Sequence, residues 1–136
     1  MITGIGVDLI EIDRVTKACE KPGFLRRIYT EKEIELINLD IKKAADNFAV
    51  KEAVVKMFGT GFRGIAPIEI EVLRDDMGKP FVNLYGKAAK VAEGQGISVI
   101  HVSITNSQIY ANAYVIGERR HPNEVCSRCK DHEENR

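Results

Sequence analysis

After a short opening run, apolar residues recur at helical spacing up to about residue 58 and alternate from about residue 68 onward. Residues 2 to 7, Ile2-Thr3-Gly4-Ile5-Gly6-Val7, predict a strand with Asp8 at its end. From Asp13 to about Glu20 a first helix is predicted, opened by acidic residues that suit the positive end of its dipole. Thr30-Glu31-Lys32-Glu33 has the form of a capping box, so a second helix should run from there to about Leu39. A third runs from about Lys42 to Phe58 and stops at Gly59, a natural C-terminal cap. Ile68, Ile70 and Val72 then alternate with Glu69, Glu71 and Leu73, and the Asp75 to Pro80 segment turns the chain into Phe81-Val82-Asn83-Leu84, which predicts a hairpin. Lys87 to Glu93 fits a short helix closed by Gly94 and Gly96. Ile97 to Thr105 and Tyr110 to Ile116 read as two strands joined by the polar turn Asn106-Ser107-Gln108. Helices early and strands late predict an α+β fold, N-terminal helices packed on a largely antiparallel sheet.

A chain of 136 residues supports one hydrophobic core, so a single domain is expected over residues 1–117, followed by a polar tail, 118–136, with too few apolar residues to fold. Lys+Arg and Asp+Glu are 20 each, which argues against a general nucleic-acid binder. No apolar run approaches the roughly 20 residues of a membrane span. The N-terminus enters a strand without a basic leader, and a cytoplasmic location is expected. Cys19, Cys126 and Cys129 are too few and too scattered for a disulfide framework. In the tail, His121, Cys126, Cys129 and His132 could ligate tetrahedral Zn²⁺; the alternative is a solvated segment.

Candidate chemistry centres on two acids. On the third helix Val50, Ala53, Val54 and Met57 share a face, while Phe48 and Val55 lie close to Glu52. A carboxylate so surrounded is costly to bury unless a cation or hydrogen-bond donors compensate it. Two readings stay open. In one, Glu52 and Lys56 form an exposed i,i+4 ion pair contributing about 0.3 to 0.5 kcal/mol, and Asp8 is an ordinary helix N-cap. In the other, Asp8 and Glu52 hold Mg²⁺, with Lys56 and the loop Gly59-Thr60-Gly61 arranged for phosphates. Arg14, Lys17 and Lys21 recur at i, i+3 and i+7 as a basic stripe, followed by Arg26 and Arg27; such a stripe is either a solvated face or a docking surface for an acidic partner.

Three separated blocks carry a resemblance: Gly4-Ile5-Gly6-Val7-Asp8-Leu9-Ile10-Glu11-Ile12-Asp13-Arg14, Phe48-Ala49-Val50-Lys51-Glu52-Ala53-Val54-Val55-Lys56 with Gly59-Thr60-Gly61, and His101-Val102-Ser103-Ile104-Thr105. In order and spacing they resemble the holo-[acyl-carrier-protein] synthases, the small 4'-phosphopantetheinyl transferases of bacterial fatty-acid synthesis, over residues 2 to about 117. The resemblance implies transfer of phosphopantetheine from coenzyme A to a serine of an acyl carrier protein, with Mg²⁺ as cofactor and adenosine 3',5'-bisphosphate released. It implies Asp8 and Glu52 as metal ligands and, with Lys56, as the catalytic group. It implies coenzyme A contacts from Lys51, Lys56, Gly59, Gly61, His101, Ser103 and Thr105, although the angular count points Lys51 elsewhere. It further implies carrier docking through Arg14, with Lys17 and Lys21 beside it, and a homotrimer with sites between subunits. Two positions depart from the family pattern: Asn47 stands where an arginine is common and Asn106 where a histidine is common. Asparagine takes no proton at neutral pH, so the serine proton would pass to water or to a carboxylate near the metal, Asp8 before Glu52. These departures also support a weaker alternative, a homologue that binds coenzyme A or carrier without efficient transfer.

Overall fold

The computed structural model describes residues 1–121. In chain order the elements are β1 (Ile2–Glu11), α1 (Ile12–Cys19), α2 (Phe24–Ile28), α3 (Glu31–Leu39), α4 (Lys42–Phe58), β2 (Ile70–Arg74), β3 (Pro80–Leu84), α5 (Gly86–Gly94), β4 (Val99–Asn106) and β5 (Tyr110–Glu118). A three-stranded sheet in the order β1-β5-β4 is antiparallel throughout, and β2 with β3 forms a separate antiparallel hairpin. This is the expected α+β architecture.

The core lies between α4 and the inner face of the three-stranded sheet. That face carries small residues: Gly4 and Gly6 on β1, and Ala111, Ala113 and Val115 on β5, the last three fully buried. They let the helix backbone approach very closely. A Cβ on Gly6 would lie 1.8 Å from the Ala53 carbonyl oxygen, and one on Gly4 would lie 2.7 Å from that of Met57. Real Cβ atoms do not approach that near, so the two glycines set the helix-to-strand distance. Ala49, Val50 and Ala53, all fully buried, complete the helix side of this layer.

Local signals account for most element boundaries. The capping box is present, with the Thr30 hydroxyl accepting from the Glu33 amide at 3.4 Å and the Thr30 amide donating to Glu33 Oε1 at 3.1 Å. Gly59 ends α4 in the left-handed region at φ 76°. Three features differ from the sequence reading. First, β1 continues to Glu11, so Asp8 lies within the strand, opposite Ala113, rather than at its end. It cannot be a helix N-cap there. Second, the five residues of α2 are too few to display a helical period, and they begin after Gly23 at φ 80° without a side-chain cap. Third, the fold passes the expected boundary at 117. Glu118 ends β5, the Arg119 amide donates to the Met1 carbonyl at 2.8 Å, and the Arg120 amide donates to Ser98 Oγ at 2.8 Å. The pairing lies at the end of the central strand, where backbone on both sides supplies partners that the polar sequence does not advertise. Cys126, Cys129 and His132, offered above as zinc ligands, fall outside the described residues.

Candidate active site

Alternation along β1 points Gly4, Gly6 and Asp8 toward α4. Glu52 and Lys56 lie one turn apart on that helix and complete a cluster with Asp8. Lys56 Nζ donates to Asp8 Oδ1 at 2.7 Å and to the Val7 carbonyl at 3.2 Å. The Asp8 side chain is 15% exposed and that of Lys56 53%. The lysine therefore pairs with Asp8, across elements, rather than with Glu52 along its own helix. Burial raises the Glu52 carboxyl above the usual carboxylate range and the nearby charge of Asp8 raises it further, with Lys56 opposing both.

Two carboxylates converge on one lysine, which leaves the cluster short of positive charge. Hard oxygen donors in this arrangement suit Mg²⁺. No group of three or more His, Cys, Asp or Glu side chains gathers elsewhere or here among the described residues. A cation held by Asp8 and Glu52 would take its remaining ligands from phosphate oxygens and water, as Mg²⁺ commonly does.

The acids line a cleft of about 700 Å³ between α1 and α4. Arg14, Val15 and Ala18 of α1 and Phe24 of α2 face Phe48 of α4, and Tyr110 at the start of β5 joins them. The cleft thus combines charged side chains, Asp8, Glu11, Arg14, Glu52 and Lys56, with apolar ones. Arg14 lines it, Lys17 is exposed on the same helix, and Lys21 lies just beyond the end of α1. Gly59 and Gly61 hold left-handed backbone, φ 76° and 59°, and a Cβ on either would meet nothing within 4 Å. Their requirement is conformational, with open space above the loop. That space is a second depression, where Thr60, Phe62, Arg63 and Lys87 join the two glycines. Sequence reading missed Arg63 and Lys87, which are exposed cations from separate elements.

Lys51 is not part of the cleft. It is fully buried, its ammonium 2.8 Å from Glu33 Oε1, and it donates also to the Pro67 and Ile70 carbonyls. Burial lowers the lysine pKa and raises that of Glu33, each against the attraction of its partner. The expected coenzyme A contact from Lys51 is overturned: one residue past Val50 and before Glu52, it is rotated about 100° from the latter, into the core. Asn47, one turn earlier on the same side, is also fully buried and donates to Glu33 Oε2 at 2.9 Å and to the Val72 carbonyl at 3.0 Å. No phosphate contact is missing at that position, because it faces away from the cleft.

His101, Ser103 and Thr105 alternate on the outer face of β4, exposed, on the side of the sheet opposite to α4. Within one chain the sheet separates them from Asp8 and Glu52, and His101 Nε2 pairs instead with Glu118 Oε1 at 3.1 Å. Asn106 reaches the other way and donates to both carboxylate oxygens of Asp46 at 2.9 and 3.1 Å.

Comparison with known proteins follows this geometry closely. Residues 4–115 match the model of the 4'-phosphopantetheinyl transferase superfamily, a span that includes both acids, Lys56 and the glycine loop. The chain belongs to that superfamily. It is 66% identical over 118 residues to a holo-[acyl-carrier-protein] synthase of Lachnoclostridium phytofermentans, covering 87% of this chain and 97% of that one. Among solved structures, the holo-[acyl-carrier-protein] synthase of Neisseria meningitidis superposes with a TM-score of 0.79 at 33% identity, over 88% of this chain and all of that one (100%). The synthase of Bacillus anthracis, solved in complex with CoA (3',5'-ADP), superposes with a TM-score of 0.73 at 34% identity, over 88% and 99% of the two chains. The transferase fold and the cleft acids therefore come together in one molecule of known family.

Proposed function

We propose that this chain is a holo-[acyl-carrier-protein] synthase that transfers 4'-phosphopantetheine from coenzyme A to a serine hydroxyl of an apo-acyl carrier protein, with Mg²⁺ held between Asp8 and Glu52. The observation that carries the reading is the convergence of those two acids and Lys56, from β1 and α4, in the cleft. In the reaction the serine oxygen bonds to the phosphorus that bears the pantetheine arm, and the bond from that phosphorus to the bridging oxygen breaks. Adenosine 3',5'-bisphosphate leaves with that oxygen. When bound, the ion neutralises charge that builds on the leaving phosphate. Lys56, more than half exposed, adds a second cation within reach of the same oxygens. The serine proton passes to water or to a carboxylate of the cleft, Asp8 or Glu52. Asp8 is engaged by Lys56.

Gly59 and Gly61 are assigned to the coenzyme A nucleotide, and Arg14, Lys17 and Lys21 to an acidic carrier approaching the α1 side of the cleft. The outer face of the three-stranded sheet supports self-association, as the homotrimer. It exposes Ile5 at 63%, Leu9 at 59% and Tyr114 at 54%, with Val7 and Ile116 between them. Such a face is unusually apolar for a surface left in water. In an assembly built on it, His101, Ser103 and Thr105 would serve a neighbour's cleft. No helix of the described residues is long and apolar enough to cross a membrane, and action on a carrier protein in the cytoplasm, within fatty-acid synthesis, fits that finding. The alternative, a weak homologue that binds without efficient transfer, rested on Asn47 and Asn106, both of which hydrogen-bond inside the fold; the mass measurement below separates the two readings.

Incubation with apo-carrier, coenzyme A and Mg²⁺, followed by intact mass measurement, tests the proposal. The carrier should gain the mass of one phosphopantetheinyl group; stable complex formation without that gain would contradict it.

A further inference from the structure

One buried acid stands apart from the cleft lining. Asp46, 4% exposed, sits on α4 and holds the amide of Asn106 through both carboxylate oxygens. It also favours the charged form of the nearby Arg74. Asn106 is the last residue of β4 and opens the turn into β5. In that turn the amides of Ile109 and Tyr110 donate to Ser107 Oγ at 3.2 and 3.0 Å, and the Ser107 amide donates to the Tyr110 carbonyl at 2.8 Å. The Ile109 carbonyl in turn accepts from the Ile12 amide at 2.9 Å. Ile12 is the first residue of α1, whose N-terminus has no side-chain cap. A helix start without a cap depends on such outside acceptors for its free amides.

This path joins the two walls of the cleft. Arg14 and Val15 belong to α1 and Phe48 and Glu52 to α4, while Tyr110 follows the turn itself. The metal acids are placed by a different contact, the close approach of β1 and α4 at Gly4 and Gly6. We propose that Asp46 is a positioning residue that sets the α1 wall and Tyr110 against α4, acting through Asn106 and the β4–β5 turn. It governs how the carrier protein seats in the cleft, and leaves the hold on coenzyme A unchanged. The inference rests on the assignment of the α1 wall to the carrier.

The test uses Asp46→Ala, Asn106→Ala, the double variant and Asp46→Asn, in the full chain. Each single alanine variant should raise the KM for carrier roughly three- to tenfold, the range expected when one contact in a coupled pair is lost. The KM for coenzyme A should stay within about twofold. The double variant should be no worse than either single, and Asp46→Asn, whose side-chain carbonyl still accepts from Asn106, should recover most of the loss. Additive effects, or equal rises in both Michaelis constants, would overturn the inference. Asn106 is exposed, so Asn106→Ala decides the matter even if the buried Asp46→Ala fails to fold. Amide hydrogen exchange gives a reading independent of catalysis: Ile12 and the first turn of α1 should exchange faster in Asn106→Ala, with β1 unchanged. Unaltered exchange at Ile12 would overturn the positioning role, whereas absence of transfer by the unsubstituted protein would refute the proposed function instead.

Discussion

Glu52 bears a cost that its neighbours explain. Burial and the charge of Asp8 raise its folded-state pKa above the ordinary carboxylate value. A group raised in this way contributes stability that is complete below the unfolded pKa and is lost as pH rises through the folded one. Glutamine mimics the protonated form. Glu52→Gln should therefore melt at the same temperature as the unsubstituted protein at acid pH and increasingly above it as pH rises to neutral, while losing transfer. A lower melting temperature at neutral pH would contradict this account of the acid. Lys51 predicts the opposite pattern. Its removal leaves Glu33 buried without its cation, so Lys51→Ala should lose on the order of 3 kcal/mol in denaturant unfolding, and folded variant should bind coenzyme A normally. At this scale Asp8, Glu52 and Lys56 were legible because their blocks resemble a family. Lys51 came from the resemblance alone, against an angular count that pointed it away from Glu52, since neighbours on a helix point about 100° apart. Asp46 gave no sign at all, because its partner lies sixty residues away in sequence.

Helix and strand meet where the strand lacks side chains. β1 inverts the usual pattern, turning Gly4 and Gly6 toward the core and Ile5, Val7 and Leu9 outward. Gly6→Ala would press a methyl group against the Ala53 carbonyl, forcing α4 away from β1 and carrying Glu52 from Asp8. We expect a clear loss of stability, about 1 to 3 kcal/mol as for other overpacked cores, together with a loss of transfer beyond that explained by unfolding. Full activity in the folded variant would show that the acids tolerate a wider spacing. Element by element, long helices with caps were readable: α3 and α4 fall where Thr30 and Gly59 place them. The length of β1 was not readable. Ile10 and Glu11 continue the ladder only because Ala111 and Tyr110 are there to pair with them.

For the molecule as a whole, the apolar outer face of the sheet is the surface proposed for self-association. Tyr114→Glu places a charge at the middle strand of that face without touching the core, since Tyr114 is 54% exposed. In sedimentation it should shift the protein toward monomer, and unchanged mass would remove the face from the assembly. His101, Ser103 and Thr105 could be named from the sequence but not placed, because strand register decides which face a residue occupies. The central claim is that Asp8 and Glu52 together make the chain a transferase. Its most direct test is the intact mass of an acyl carrier protein after incubation with coenzyme A, Mg²⁺ and either the unsubstituted protein, Asp8→Ala or Glu52→Ala. The account predicts complete gain of phosphopantetheine with the first and at least a hundredfold slower gain with each folded variant, on the order of the loss typical for a removed charge-stabilising group; near-normal modification by both variants would contradict it.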